Sequence, residues 1–549
     1  MFVRTVVARG HTYIRIVESY RENGKSRQRI LFTLGRLDAL LATGELVGIV
    51  ETLGRLCKKQ DWLDLAKDIG VDDVYYLGAA HVLSRMLERM GLRRVLDKAQ
   101  AQHSRLELPW RELIFGMILG RFIEPCSKRR LNQEWWGRIY PGLLGVANPP
   151  LHWFYRAMDI LHGHRDDVER VLFERNGERD LFNQVIDVVF YDTTTLYFES
   201  TRTDLGESRK YGYSKEHRSD CVQVVLGLLI DKDGIPVGYE LFPGSTYDGK
   251  SVPAILKKLK TKYQVGRIVF VADRGMLSQD NIREIEKAQM EFVLGMRLWK
   301  VSAKKSAEFY DLGRYRPVGQ KAEFMIREVE HEGKRLILTW SKERAERDAK
   351  TREQILEKLD KKLSKEPTPR QLVTHRGYRQ FIKGLDEGHP EVNLEAVEAS
   401  KRRDGFYGVL SNIPKEKMTA DEVYSRYRDL WRIEDAFGEI KGTLRTRPMF
   451  HWTDERIRAH VLICLLAYYV EAVITKMLRE QKAGFTAPAL FRALNEVYAI
   501  PVTVRGSRVW VRNKCKGLAA EGYKILGLKP PERVLRIEQE NVVTRIFSE

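Results

Sequence analysis

Three acidic residues that lie far apart in the sequence stand where divalent metal chemistry would need them. Asp192 closes the apolar run VIDVVFYD, Asp273 closes the run RIVFVAD, and Glu434 lies within YRDLWRIEDAFGEIKG. Two neighbouring aspartates repel each other unless a cation lies between them, and sites with only oxygen ligands favour Mg²⁺ or Mn²⁺. A third carboxylate would complete a two-metal site, with ions about 3.5–4 Å apart serving an attacking and a leaving oxygen. The three acids therefore predict metal-dependent chemistry at a phosphate.

Each acid taken alone is weak evidence. An aspartate after a strand is often only a turn residue or a helix cap. Asp187, five residues before Asp192, is the alternative acid of the first run, and it would point to the opposite face of the strand. Glu434 lies at the edge of an apolar helix side, where a glutamate is more often only an amphipathic boundary. The prediction depends on all three acids falling on matching elements in the right order.

The segment from Tyr427 to Gly442 has the periodicity of one helix. Its apolar side consists of Leu430, Ile433, Phe437, Ile440 and Leu444. Glu434 borders this side, and Tyr427 and Lys441 lie nearest to it on the other side. We expect the helix to pack on a sheet with Glu434 at the edge of the contact, and Tyr427 and Lys441 to face a DNA strand.

The elements that precede this helix are predicted in the order strand, strand, strand, helix, strand, helix, strand. The strands are VIDVVFYD, CVQVVLGLLID, VGYELFPG, RIVFVAD and EFVLGM, and the helices are KSVPAILKKLKTKY and SQDNIREIEKAQ. Three adjacent strands followed by two right-handed crossovers predict one mixed sheet with helices on its faces. Strands one and four are then neighbours, so Asp192 and Asp273 lie side by side. This α/β order is that of the ribonuclease-H-like fold.

Six regions follow from the change of pattern along the chain. The first two are a β-hairpin region around Asn23-Gly24 (1–60) and a helical DNA-binding or assembly domain (61–180). The core has a first part (181–298) and a second part with the Glu434 helix (404–480), and a β-rich and helical insertion (299–403) separates them. The last is a C-terminal region with a helix and a hairpin (481–549). Within the insertion, EFMIREVEHEGKRLILTW has a hairpin pattern and Ser341 to Lys365 is a charged helix.

Composition points to a polyanionic partner. Basic residues outnumber acidic ones by 94 to 75, a net charge of +19, so nucleic acid or an anionic membrane is expected. A membrane is the weaker option, because the apolar run from Val461 to Val470 stops at Glu471 and is too short to span. The five cysteines are far apart, which favours a reducing compartment and argues against a zinc ribbon. No secretion signal is apparent, so we expect a cytoplasmic protein.

A cluster of basic and aromatic residues is the candidate for a DNA-gripping surface in the helical region. The cluster consists of Lys128, Arg129, Arg130, Trp135, Trp136 and Arg138. A merely solvated helical face explains these residues equally well.

The segment around Glu434 resembles the signature of DDE transposases from bacterial insertion sequences. That signature is Tyr, two residues, Arg, three residues, Glu, six residues, Lys, and it belongs to a branch with a β-rich insertion between the second Asp and the Glu. Tyr427, Glu434 and Lys441 keep this spacing, whereas Leu430 holds the position of the arginine, flanked by Arg428 and Arg432. The segments ESYRENGKSRQRILFTLGRL, VFYDTTTLYFES, FVADRGMLS and RTRPMFHWTDERIRAHVLICLLAYY are also similar to this branch.

The resemblance implies an enzyme that binds the terminal inverted repeats of its own element, assembles as a dimer or larger complex, and cuts and joins DNA with Mg²⁺ or with Mn²⁺ as a substitute. It implies action on the nucleoid, in a bacterial or archaeal cytoplasm. Asp192, Asp273 and Glu434 are then the catalytic and metal-binding residues, and Tyr427, Lys441 and Arg432 are the DNA contacts. Two alternatives stay open: another metal-dependent nuclease of the same fold, and a DNA-binding protein that has lost catalysis.

Overall fold

The computed structural model describes most of the chain. The described ranges are 2–8, 10–22, 25–56, 70–71, 73–102, 107–178, 188–203, 206–262, 268–298, 307–319, 322–364, 376–384, 390–504, 507–539 and 542–544. The chain divides into two compact units. The first comprises 1–75, 497–514 and 531–549, and the second comprises 76–496 and 515–530.

The first unit contains two antiparallel sheets. One has the strands Phe2–Ala8, His11–Glu22 and Lys25–Arg36 in that order, followed by the helices Leu37–Ala42 and Glu45–Leu56. The other contains Gly70–Val71, Tyr498–Val504, Ser507–Arg512, Val534–Gln539 and Val542–Thr544. The strands on both sides of Asn23-Gly24 are confirmed as an antiparallel pair, and the turn itself lies outside the described residues. The predicted hairpin VTVRGSRVWV is likewise confirmed by the pairing of its two strands.

The second unit begins with helices. They are Gly78–Arg89, Leu92–Gln102, Trp110–Ile123, Lys128–Arg130, Pro141–Leu144, Leu151–Gly163 and Arg165–Glu178. Trp110–Ile123 and Leu151–Gly163 pack against each other and against the later helix Asp454–Glu480, because all three bury apolar side chains between them. The helices Ala487–Leu494 and Gly517–Ile525 also belong to this unit.

The basic cluster of the helical region is only partly a surface. Arg129, Arg130 and Arg138 are exposed, but Lys128 and Trp136 are buried. The Lys128 ammonium lies 2.7 Å from His460 Nδ1, and burial lowers the pKa of Lys128 to about 7. The prediction that Lys128 belongs to a DNA-gripping face is therefore wrong. A run of basic residues in the sequence does not show which of their side chains are buried.

A nine-stranded mixed sheet forms the rest of the second unit. Its strands are β1 (Val188–Tyr197), β2 (Gln223–Ile230), β3 (Pro236–Pro243), β4 (Val269–Ala272), β5 (Glu291–Met296), β6 (Arg316–Pro317), β7 (Phe324–His331), β8 (Lys334–Ser341) and β9 (Phe406–Ser411), in the spatial order β6-β7-β8-β9-β5-β4-β1-β2-β3. The β1–β4 and β4–β5 pairs are parallel. The predicted mixed sheet and the adjacency of strands one and four are confirmed.

Six of the described helices that accompany this sheet in the sequence are labelled here. They are α1 (Val252–Lys262), α2 (Gln279–Lys287), α3 (Lys342–Leu363), α4 (Ala420–Arg428), α5 (Trp431–Lys441) and α6 (Asp454–Glu480). Apolar residues of α1 and α2 join one buried cluster with side chains of β1, β4 and β5. Smaller elements are the helices Arg376–Arg379 and Leu394–Lys401 and the two-stranded sheet Ile382–Lys383 with Glu391–Val392.

The predicted insertion hairpin is part of the main sheet. β7 and β8 form the expected antiparallel pair, and β8 also pairs with β9 along six residues from Arg335 to Trp340. β9 in turn pairs with β5. The hairpin pattern was right, but periodicity within two strands cannot indicate that their outer edge pairs with a strand about seventy residues later.

The apolar run from Val461 to Val470 is part of the longer helix α6. It has 27 residues and is long and apolar enough to cross a membrane by length and composition, but 83% of its apolar window is buried inside the protein. Glu471, which was expected to end the apolar run, is itself buried, and burial raises its pKa to about 8. The prediction that this segment is too short to span a membrane is therefore wrong as an argument from length, and most of the helix is buried inside the protein.

Candidate functional site

Asp192 and Asp273 occupy equivalent positions on neighbouring parallel strands. The β1–β4 ladder runs from Val188 opposite Val269 to Tyr191 opposite Ala272, so the two acids are the next residues on each strand. Adjacent strands lie about 4.8 Å apart, which brings the two backbones together at this point. Asp187, the alternative acid, lies outside the described residues.

Asp192 does not end its strand, as the sequence interpretation expected. β1 continues to Tyr197, and Asp192 pairs with Leu228 of β2. Only the parallel ladder with β4 ends before Asp192, because β4 stops at Ala272. The aspartate thus lies at the end of one ladder while the other ladder holds its backbone in place.

The surroundings of Asp192 disfavour its ionised form. Burial raises the pKa of Asp192 to about 6, and the charges of Asp248 and Asp273 add to this effect. The Lys215 ammonium, 3.7 Å from Asp192 Oδ1, and the backbone N–H of Thr193, which donates to the same oxygen at 2.7 Å, act in the opposite direction. A cation placed among these carboxylates would relieve the repulsion.

Asp248 is a third carboxylate at this place, and sequence reasoning missed it. The Thr193 hydroxyl donates to Asp248 Oδ1 at 2.6 Å, and Lys215 Nζ lies 3.3 Å from Asp248 Oδ2. Asp248 sits in the segment GSTYDGKS after β3, where an Asp-Gly pair signals a turn and nothing more. Only the tertiary contact with Thr193 distinguishes it from a turn residue.

Two tyrosine hydroxyls meet at Asp273. The Tyr427 hydroxyl donates to Asp273 Oδ1 at 3.0 Å, the Tyr407 hydroxyl lies 3.5 Å from the same oxygen, and the two hydroxyls hydrogen-bond to each other. Gly295 of β5 makes the room, since a Cβ there would lie 2.6 Å from both hydroxyl oxygens. Burial raises the pKa of Tyr407 to about 12, so this tyrosine stays protonated near neutral pH.

The segment around Glu434 is two helices, which corrects the prediction of one. α4 ends at Arg428 and α5 begins at Trp431, and the amide of Leu430 bonds to the carbonyl of Tyr427 with i→i+3 spacing. Such a 3₁₀-like turn changes the angle between the residues on its two sides. Tyr427 nevertheless reaches Asp273, because α4 carries it there directly.

Glu434 is exposed in the first turn of α5. Lys441, seven residues later and therefore on the same side of the helix, donates to the Thr194 hydroxyl at 3.0 Å. Thr194 and Asp192 are two residues apart on β1 and share one face of the sheet. Glu434 thus lies on the side of α5 that also carries Lys441, and Lys441 contacts the sheet face to which Asp192 points. In the sequence, Glu434 lies between Tyr427, which contacts Asp273, and Lys441.

The two other predicted DNA contacts have protein partners of their own. Lys441 Nζ lies 2.6 Å from Glu216 Oε1, and Arg447 Nη1 lies 2.5 Å from Glu216 Oε2. Burial alone would raise the pKa of Glu216, but hydrogen bonds from Lys441 and Arg447 outweigh burial and lower it. The Arg432 guanidinium lies over the Trp431 ring at 5.0 Å and 3.5 Å from Asp429 Oδ1.

Leu430, at the position of the signature arginine, is buried at 8% exposure. A charged side chain at so buried a position would need a partner of opposite charge.

The donors around Asp192 suit a hard divalent cation. Asp192, Asp273 and Asp248 offer only carboxylate oxygens, which Mg²⁺ and Mn²⁺ prefer, and Lys215 supplies a positive charge between two of them. Within the described ranges, no group of three or more His, Cys, Asp or Glu side chains is close enough to hold a metal ion as it stands. The residues fit a divalent ion whose remaining ligands come from water and substrate.

Comparisons with known proteins agree with this chemistry. The family described as Transposase DDE domain matches residues 183–470, and the IS1634 family transposase, N-terminal domain, matches residues 3–66. A search of curated proteins gives no match. A solved structure described as the piggyBac transposase synaptic complex with hairpin DNA is 11% identical, with 70% of each chain covered and a TM-score of 0.37; a likeness that low carries no argument. Because the DDE domain spans more than half of the chain and an insertion-sequence N-terminal domain precedes it, the chain belongs to the DDE transposases of insertion sequences and is a DNA transposase.

Proposed function

We propose that this transposase binds the terminal inverted repeats of its insertion sequence and performs Mg²⁺-dependent cleavage and strand transfer. Its nine-stranded sheet contains the order β3-β2-β1-β4-β5, which supports a ribonuclease-H-like core. Metal dependence follows from the family, and Mg²⁺, with Mn²⁺ as a substitute, is our proposal for the ion. The observation that carries the proposal is the position of Asp192 and Asp273, side by side where the parallel ladder ends.

The contacts around these acids support the roles that we propose. Asp192, Asp273 and Glu434 would hold the metal ions, and the ions would supply activation of the attacking oxygen and stabilisation of the leaving oxygen. Tyr427 orients the Asp273 carboxylate through its hydroxyl. The ammonium of Lys215 offsets part of the negative charge of Asp192 and Asp248 in the free protein. Glu434 is assigned through its helix, because it lies on the side of α5 that also carries Lys441, which contacts Thr194 of β1.

DNA contacts belong to the same proposal. Lys441 and Arg432 contact backbone phosphates, and Tyr427 faces the cleaved strand. The part of the chain from residue 1 to 180 recognises the terminal repeats, for which the exposed Arg129 is one contact. The protein acts as a homodimer or larger complex on the nucleoid, in a bacterial or archaeal cytoplasm.

One assay separates this function from its alternatives. The full chain is incubated with Mg²⁺, a duplex carrying the terminal repeat of its element, and a supercoiled target plasmid. A transposase produces cleaved ends and joins them to the plasmid. A nuclease of the same fold cleaves without joining, and a protein that has lost catalysis binds the duplex without cleavage. Cleavage with no joined product, or no cleavage in either Mg²⁺ or Mn²⁺, contradicts the proposal.

A further inference from the structure

The loop that joins β1 to β2 carries two neighbouring residues of opposite charge, and each meets the opposite charge on the core. Lys215 contacts Asp192 and Asp248, whereas Glu216 contacts Lys441 and Arg447. One short segment thus places a cation among the carboxylates of the candidate site and a carboxylate among its cations.

The contacts of Glu216 have the form of a bidentate anion site. Each carboxylate oxygen receives one cation: Lys441 Nζ at 2.6 Å and Arg447 Nη1 at 2.5 Å. A backbone phosphate offers two non-bridging oxygens in a similar arrangement and accepts from Lys and Arg in the same way. Lys441, Arg447 and Glu216 all keep partial exposure, between 16% and 23% of their side chains, so an external anion can reach them.

The position of these cations suits a phosphate close to the reacting one. Lys441 also donates to Thr194, two residues beyond Asp192 on the same face, a distance of about 7 Å along the strand. The Tyr197 ring, further along β1, lies under the guanidinium groups of Arg218 at 4.8 Å and Arg447 at 5.6 Å. Arg447 is thereby held beside the strand that carries Asp192.

Glu216 lies in the loop that joins β1 to β2, and backbone hydrogen bonds hold the described part of this loop to the sheet. The loop is closed at its base by the pairing of Lys210 with Gln223 and by the Gln223 side chain, which donates to the carbonyl of Tyr213 at 3.1 Å. Within the loop, the amides of Glu216 and Arg218 donate to the Ser214 hydroxyl. The exchange therefore concerns the Glu216 side chain, because its neighbour Lys215 donates to the Thr193 carbonyl at 2.6 Å and is attached to β1.

We propose that Lys441 and Arg447 form a binding site for a backbone phosphate of DNA, which the Glu216 carboxylate occupies in the free protein. The inference rests on the proposed function, in that DNA is the ligand. DNA and Glu216 compete for the same two cations, so the carboxylate lowers the affinity for DNA until a phosphate replaces it.

The test is the affinity of the full chain for a fluorescent duplex, measured by anisotropy in EDTA at fixed salt. Glu216→Gln removes the competing charge and is expected to tighten binding about fivefold. Lys441→Gln and Arg447→Gln are expected to weaken it several-fold, and Arg447→Gln is expected to cancel most of the gain of Glu216→Gln. The matched control is Glu328→Gln, since Glu328 also lies between two cations, Arg335 at 3.0 Å and Lys415 at 3.1 Å. It changes the net charge equally and is expected to leave the affinity unchanged.

A purely structural role of Glu216 predicts different results. Glu216→Gln would then bind DNA no more tightly than wild type, or no more tightly than Glu328→Gln, and either result overturns the phosphate site. Thermal unfolding shows that each variant is folded. Because the assay contains no metal and needs no cleavage, its result is independent of whether the protein cuts or joins DNA.

Discussion

The Asp192 carboxylate should destabilise the metal-free protein, and Asp192→Asn should therefore stabilise it. In the folded protein the pKa of Asp192 is raised to about 6 from an ordinary 3.8, chiefly by burial. The difference corresponds to about 3 kcal/mol against the ionised form at neutral pH. Asn has nearly the shape of the protonated acid and carries no charge, so the variant is expected to recover up to this amount.

The pH dependence of the stability follows from the direction of this pKa shift. Between pH 3.8 and about 6 the folded state binds more protons than the unfolded state, so the stability of the wild type falls as pH rises through this window. The advantage of Asp192→Asn is therefore full at pH 7.5 and disappears as pH falls towards 4. A divalent metal reverses the order of the two stabilities, because the wild-type carboxylate can bind the ion and the asparagine amide has no charge with which to do so.

Thermal unfolding in EDTA at several pH values, repeated in Mg²⁺, measures both effects. We expect a rise of several degrees for Asp192→Asn at pH 7.5 in EDTA. The control is Asp280→Asn, whose side chain is 89% exposed on α2, with no expected change. A variant that is less stable than wild type in EDTA at pH 7.5, or a gain that grows as pH falls, refutes the electrostatic reasoning.

Three further predictions concern residues around the site and in the helical region. Tyr427→Phe removes the hydroxyl that donates to Asp273. Because a hydrogen bond to a charged group contributes about 1.5–3 kcal/mol, the rate of single-turnover cleavage should fall about tenfold or more in a folded protein. An unchanged rate contradicts the role of Tyr427. Arg129→Ala should weaken binding to DNA and lower the slope of log affinity against log salt by about one, whereas an unchanged slope excludes Arg129 as a phosphate contact. Burial lowers the pKa of His81 to about 4. As pH falls below 6.5, the unfolded state therefore takes up a proton before the folded state does, and the free energy of unfolding decreases towards pH 4. His81→Asn should make this decrease less steep in urea unfolding, and an equally steep decrease in the variant contradicts the prediction.

The sequence predicted the pairing of Asp192 with Asp273 because strand order determines which strands are neighbours. The run of three strands and two crossovers led to β1 beside β4, and the ends of the apolar runs located the acids. The length of β1 was missed, because the residues TTTLY after Asp192 have high strand propensity but lie beyond the apolar run that defined the strand.

The rest of the site depends on contacts between distant parts of the chain. Glu216 and Lys441 are 225 residues apart, and no periodicity relates a loop after β1 to the last turn of α5. Asp248 has the sequence of a turn, and only the approach of Thr193 and Lys215 shows its surroundings. The break between α4 and α5 was missed for a local reason, since one 3₁₀-like turn shifts the apolar periodicity too little to be visible in the letters.

The most direct measurement is Mg²⁺-dependent cleavage of a terminal-repeat duplex by Asp192→Asn, Asp273→Asn and Glu434→Gln, with DNA binding measured in parallel. Two exposed acids supply matched controls: Asp280→Asn, and Glu343→Gln, whose glutamate also lies in the first turn of a helix and is 80% exposed. The account predicts that each of the three variants loses cleavage and joining while it still binds the duplex, and that both controls keep full activity. Substantial cleavage by any one of the three variants contradicts the assignment of that acid.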